Sequence, residues 1–132
     1  SSYCKKILGI EMVESSISDA KINAKINNVN NCSFIKSDVK NLSNLQSTFY
    51  DFGLPDVIII DPPRAGIHIK GIEALLRLFP KKIIYVSCNP VSLARDAKII
   101  TEKKMYSLSS CTAIDLFPNT NHVECVAKFD RL

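Results

Sequence analysis

Apolar and polar positions recur along this chain with two different periods, and each switch between them marks an element. Residues 7–10 (Ile-Leu-Gly-Ile) form a short apolar run that stops at Glu11. From Val13 the spacing lengthens. Val13, Ile17, Ala20 and Ala24 stand four, three and four apart, which is one face of an amphipathic helix. Asn27, Asn28 and Asn30 end it, because asparagine tolerates left-handed and turn backbone. Residues 32–36 read as a second strand that runs out near Asp38, and residues 41–55 as helix or loop, with Gly53 and Pro55 near the end. Val57-Ile58-Ile59-Ile60 is an unbroken β-branched run, as in parallel strands covered on both faces. It stops at Asp61-Pro62-Pro63-Arg64. Ile72, Leu75, Leu76 and Phe79 predict a helix, residues 83–86 a buried strand, and Leu93, Ala97 and Ile100 another helix. Asn89 is a good N-cap for that helix and Pro90 a good first residue. Residues 105–115 and 122–129 are strand-like and predict an antiparallel pair; in the second, Val123, Cys125, Ala127 and Phe129 alternate with His122, Glu124, Val126 and Lys128.

Strand, helix, strand, helix or loop, strand, helix, strand, helix and two final strands make an α/β domain. The expected sheet is mainly parallel with a C-terminal antiparallel strand pair, in one domain over residues 1–132. No repeat, low-complexity segment or linker interrupts it.

Composition adds little to this. The 132 residues are 46% hydrophobic and 23% charged, ordinary for a soluble domain. No apolar run approaches the roughly 20 residues that span a bilayer, and residues 1–6 do not resemble a signal peptide, so no membrane partner is expected. A net charge of +4 suits a polyanion such as RNA but is common in other domains. The five cysteines are odd in number and lack C-x-x-C spacing, which fits neither a disulfide framework nor a zinc site. They point to a reducing, cytoplasmic setting, with most thiols expected to be small buried hydrophobes.

Candidate chemistry collects at strand ends: Glu11, Asp38, Asp61 and the Ser87-Cys88 pair. Parallel strands present their carboxyl ends at one edge, where open α/β sheets bind ligands, so these residues are expected to converge. Glu11 fits a carboxylate that accepts from ribose hydroxyls; complementing the following helix dipole is the alternative, which Glu14 already serves. Asp38 suits either an adenine amino group or a solvated loop. Asp61-Pro62-Pro63-Arg64 is a rigid turn, since two prolines fix φ and remove two amide donors. It either positions Asp61 and Arg64, the latter toward a phosphate or carboxylate, or is a plain stiff turn. Cys88 precedes a helix N-terminus, where amide donors and the dipole favour a thiolate, and its polar flanks argue against burial. Spacing alone lifts neither Glu124 nor His122 above ordinary surface residues.

Three segments in order are recognisable: Asp61-Pro-Pro-Arg-Ala-Gly66; Tyr85-Val-Ser-Cys-Asn-Pro90 with Leu93-Ala-Arg-Asp96; and Phe117-Pro-Asn-Thr-Asn-His-Val-Glu-Cys125. Together they resemble the catalytic domain of the RNA 5-methyluridine methyltransferases, which modify transfer and ribosomal RNA. The resemblance covers essentially all 132 residues. It implies a Rossmann-like fold that uses S-adenosylmethionine, an RNA substrate and no obligate protein partner. It makes Cys88 the nucleophile, Glu124 the general base and Asp61 the catalytic-loop aspartate that contacts the uracil. Glu11 and Asp38 match positions that hold the ribose and adenine of the methyl donor, and Asp61 counts with them among the cofactor-binding positions. Arg64 matches the loop arginine. The chemistry implied is thiolate addition at C6, which makes C5 nucleophilic, then methyl transfer, loss of the C5 proton and elimination. No metal is required.

The chain departs from whole family members. A first strand and the glycine-rich turn that packs on the methionine part of the cofactor are missing, as are upstream RNA-binding portions. The expected reading is a partial catalytic domain, inactive alone, whose runs at 7–10 and 57–60 close directly on each other. Two alternatives stay open. One is an amino-directed nucleic-acid methyltransferase, although Arg64 stands where such enzymes carry an aromatic residue. The other is a non-catalytic nucleotide- or RNA-binding module, which would need neither Cys88 nor Glu124.

Overall fold

A computed structural model describes residues 3–116 and 118–132. Phe117, which opens the third recognisable segment, lies outside the described residues. The chain forms two compact units, Ser1–Gly53 and Leu54–Leu132.

In the first unit, β1 (Ile7–Glu11) and β2 (Cys32–Lys36) pair in parallel and α1 (Glu14–Ile26) connects them. Gly9 is the register partner of Phe34. A Cβ there would lie 2.7 Å from the Phe34 ring, so glycine lets the ring pack over β1. Ile17, from the predicted apolar face, is buried. The asparagines end α1 as expected: Asn27 is its C-cap and Asn28 takes φ 53°. The ambiguous stretch after β2 is a 3-10 helix over Val39–Leu45 followed by α2 (Gln46–Phe52), which stops at Gly53 with φ 94°.

The second unit contains β3 (Val57–Ile60), α3 (Ile69–Arg77), β4 (Lys82–Ser87), α4 (Pro90–Glu102), β5 (Tyr106–Ile114) and β6 (Glu124–Arg131). The strand order is β3-β4-β6-β5. β3 and β4 run parallel, while β6 is antiparallel to both β4 and β5. One core joins Ile83 and Tyr85 of β4 and Cys125, Ala127 and Phe129 of β6 to Ile72 and Leu76 of α3 and Leu93 and Ile100 of α4. The period-two pattern of residues 122–129 is therefore real, with its odd-numbered strand residues facing inward. Fully burying a side chain such as Phe129 contributes about 2–3 kcal/mol. Among the described residues no helix is long and apolar enough to cross a membrane.

Four expectations need correction. β3 is not covered on both faces: Ile59 is 71% exposed, because Ile60 faces the core with α3 and α4 and nothing in this unit covers the opposite face. Phe79 is not part of its helix. Pro80 disfavours helical backbone at the residue before it, so α3 ends at Arg77 and Phe79 turns to φ 51°. There it meets Tyr106 edge-on and carries the Arg131 guanidinium 4.4 Å from its ring centre. Most thiols are not buried. Cys125 alone is, while Cys4 and Cys111 are exposed and Cys32 and Cys88 half-buried, because they sit on edges and strand ends. Finally, the 7–10 and 57–60 runs do not pair. α1 returns the chain so that β2 lies beside β1, α3 does the same for β4 and β3, and the two pairs belong to separate units.

Candidate active site at the end of β4

β4 lies between β3 and β6, so its carboxyl end is flanked from both sides. Ser87, its last residue, pairs with Cys125 of β6 as the last step of that antiparallel register; Cys88 directly follows Ser87 in the chain and Glu124 directly precedes Cys125. On the other side Ile60 pairs with Tyr85, and β3 runs out into Asp61 level with Val86. Three of the predicted residues, Asp61, Cys88 and Glu124, thus gather from three adjacent strands at one sheet edge. Cys88 and Glu124 are half-buried and Asp61 is exposed, which leaves the group open to a ligand.

The loop between Asp61 and His68 is tied down residue by residue. Gly66 N–H donates to the Pro63 carbonyl at 2.8 Å, closing a turn that needs φ 77° at Gly66. Asn89 works twice. Its Oδ1 accepts from Val91 N–H and caps α4, as the sequence predicts, while its Nδ2 donates to the Arg64 carbonyl at 2.9 Å. Ser87 Oγ accepts from Asn89 N–H at 3.1 Å, which holds the backbone on either side of Cys88. Arg64 Nη2 lies 3.1 Å from His122 Nδ1. A guanidinium only donates, so Nδ1 accepts and the ring carries its proton on Nε2. This bond links the loop after β3 to the segment before β6, bracketing the strand end that bears Cys88.

Asp96 is the residue that sequence reasoning missed. It is fully buried, and its two oxygens accept from Tyr85 OH, Ile67 N–H and Arg95 Nε and Nη2. Burial, then the Asp96 hydrogen bond and charge, push the Tyr85 phenol above its ordinary pKa. The signal was present: Asp96 falls three residues after Leu93 and four before Ile100, on the apolar face of α4. A carboxylate there costs several kcal/mol unless fully bonded, so it marks a polar network.

The first unit holds Glu11 and Asp38. Glu11 ends β1, and its carbonyl accepts from Ser37 N–H at 2.9 Å, so Glu11 and the turn bearing Asp38 stand at the same end of the β1–β2 pair. Glu11 Oε1 accepts from Met12 N–H and Val13 N–H at 2.7 and 2.9 Å. Glu14 stands in the first turn of α1, where it complements the helix dipole as the sequence argument has it, and it also pairs with Lys36 at 3.0 Å. Asp38 Oδ1 accepts from Lys40 N–H at 2.9 Å and opens the 3-10 helix.

Comparison with known proteins gives these residues a context. A family model described as tRNA (Uracil-5-)-methyltransferase matches residues 1–131. An uncharacterized RNA methyltransferase of Chlorobaculum tepidum is 45% identical over 129 residues, which are 98% of this chain and 26% of that protein. One from Oceanobacillus iheyensis is 46% identical over 125 residues, 94% of this chain and 26% of that protein. The chain therefore spans about a quarter of the length of the curated relatives it matches. Among solved structures, the tRNA (uracil-54, C5)-methyltransferase of Pyrococcus abyssi, in complex with S-adenosyl-L-homocysteine, is similar with a TM-score of 0.75 at 35% identity, over 94% of this chain and 28% of that one. The N-methyltransferase NodS of Bradyrhizobium japonicum has a TM-score of 0.72 at 13% identity, over 99% of this chain and 76% of that one, a likeness of fold alone. With a Rossmann-like α/β fold and a family match that runs almost end to end, this chain belongs to the tRNA (uracil-5-)-methyltransferase family.

Proposed function

We propose that this chain supplies the catalytic part of an enzyme that methylates C5 of a uridine in RNA, either transfer or ribosomal. The observation that carries this reading is the β4–β6 register, whose last pair, Ser87 with Cys125, is flanked in the chain by Cys88 and Glu124 at the same sheet edge. A thiol and a carboxylate at one sheet edge suit one addition–elimination cycle. Cys88 Sγ adds to C6 of the uracil, and the electron pair of the C5–C6 double bond moves toward O4, making C5 nucleophilic. C5 takes the methyl group. Glu124 then removes the C5 proton, the double bond re-forms, and the C6–S bond breaks to release the thiolate. Asp61 orients the uracil edge from the β3 side. A base must be unstacked to reach Cys88, which fits the exposed rim formed by Asp61, Arg64 and His122.

S-adenosylmethionine is the proposed methyl donor; its sulfonium makes the methyl group transferable. The donor set in the first unit fits its adenosine. Glu11 has one oxygen pinned by two amides, which leaves Oε2 to accept from ribose hydroxyls. Asp38 has Oδ1 committed to Lys40 N–H and Oδ2 in a long, 3.9 Å ion pair with Lys40 Nζ, where Oδ2 can still accept from the adenine amino group. The four glycines form no glycine-rich turn for the methionine moiety, so the 132 residues alone are proposed to be inactive. Free cysteines without disulfide spacing support a cytoplasmic setting.

The test uses RNA containing 5-fluorouridine and the complete enzyme that carries this sequence. Fluorine at C5 leaves no proton for Glu124 to remove, so elimination stalls after attack. Mass spectrometry is expected to show protein joined to RNA at Cys88. Turnover of uridine RNA without any such adduct would exclude the covalent route.

A further inference from the structure

Asp96 takes no part in the chemistry above, yet it is completely buried and accepts four hydrogen bonds. They arrive from three elements. Tyr85 OH, 2.6 Å away, comes from β4, two residues before Ser87. Ile67 N–H, at 2.8 Å, comes from the loop after β3. Arg95 comes from α4 through Nε and Nη2 at 2.8 and 2.6 Å, and the same Nη2 donates to the Ala65 carbonyl at 2.9 Å.

The loop needs outside anchors because Pro62 and Pro63 have removed two of its amide donors. Every residue from 64 to 67 gives a backbone group to the frame. Arg64 C=O goes to Asn89, Ala65 C=O to Arg95, Gly66 N–H to Pro63 and Ile67 N–H to Asp96. The frame closes around Gly66. A Cβ at that position would lie 2.5 Å from Arg95 Nη2 and 2.6 Å from Asp96 Oδ2. The same carboxylate thus grips the strand that leads to Cys88, the helix that follows it and the loop that bears Asp61 and Arg64.

We propose that Asp96 and Arg95 are positioning residues whose ion pair locks the 61–67 loop in register with Cys88, so that the uracil is presented to the thiol in one orientation. The proposal rests on the uridine-methylating reading. The Arg95 side chain is 55% exposed while Asp96 is built into the core, so Arg95 is the member of the pair whose removal disturbs packing less. The decisive variant is therefore Arg95→Ala in the complete enzyme, with Arg95→Lys as the conservative control. Lysine keeps the charge but cannot reach Asp96 and Ala65 with a planar fork.

Three readouts are compared with wild type: thermal midpoint, deuterium exchange of the peptide spanning residues 64–68, and the rate of adduct formation with 5-fluorouridine RNA. Arg95→Ala is expected to lower the midpoint, because the buried Asp96 Oδ1 loses both its donors, while staying folded at the assay temperature with an unchanged KM for S-adenosylmethionine. It should exchange the 64–68 amides faster and form adduct about tenfold or more slowly, since small misplacements of reacting groups are costly. Arg95→Lys should fall between. An adduct rate equal to wild type, or a loss explained by the unfolded fraction alone, would overturn the positioning role. A wild-type enzyme that forms no adduct overturns the uridine reading instead; unchanged exchange in Arg95→Ala then overturns the loop lock, and faster exchange upholds it.

Discussion

Ser87 and Cys125 form the last β4–β6 pair, and Cys88 and Glu124 are the residues next to them in the chain at that end. Residues 36 positions apart in the chain are thereby brought to one end of the β4–β6 pair. In the proposed cycle the two groups serve opposite ends, the thiol opening the double bond and the carboxylate restoring it. Because they act at different times, their variants should fail in different ways.

Replacing Glu124 by Gln should leave attack and methylation intact and block the last step. Enzyme would accumulate covalently joined to methylated RNA. A denaturing gel with labelled RNA reads this directly. A variant with full turnover and no retained RNA would remove Glu124 from the role of essential base.

Gly66→Ala should be more damaging than its size suggests. The residue takes φ 77°, and the new methyl group would strike Arg95 and the buried Asp96. Strain of this kind costs on the order of 1–3 kcal/mol. The thermal midpoint should fall and the 64–68 amides should lose protection. An unchanged midpoint would mean that the loop relaxes without cost and that the frame around Asp96 is loose.

Part of this arrangement was legible in the sequence. The contiguous apolar runs located β1, β3 and β4, because strand interiors demand them. Asn89 before Pro90 located the start of α4 by capping chemistry alone. Alternation at Cys125, Ala127 and Phe129 gave the inner face of β6. The insertion of β6 between β4 and β5 was not legible, since strand order depends on which edges meet in three dimensions. Without it, Glu124 looked like any solvent-facing residue, and only the resemblance singled it out. Asp96 was missed because periodicity was read for apolar residues, whereas a carboxylate in the apolar stripe was the informative exception. Ile59 misled for the reverse reason: a β-branched run reports strand propensity, and its burial depends on what covers the face.

Cys125 gives a pH test. Burial, then Cys111 and Glu124, push its thiol above the ordinary range. Its folded pKa therefore exceeds the unfolded value of about 8.5. The stability it contributes is complete below that value and is lost as pH rises through the folded pKa. At pH 8.5 an alkylating reagent should label the exposed Cys111 and spare Cys125 until denaturant is added. Equal labelling rates in the native protein would contradict the burial of β6.

The 132 residues alone should bind S-adenosylmethionine poorly, because the proposed contacts of Glu11 and Asp38 reach only its ribose and adenine. Isothermal titration calorimetry on this chain should show no micromolar binding. Micromolar affinity would mean that the donor site is complete within it.

The most direct measurement is turnover of Cys88→Ala in the complete enzyme, with cofactor binding measured on the same sample. Loss of a covalent nucleophile costs several orders of magnitude in rate. Methyl transfer to RNA should therefore fall to background while S-adenosylmethionine binding stays at the wild-type level, because the thiol acts on the base and not on the donor. Methyl transfer at a rate near wild type would contradict covalent catalysis at the end of β4.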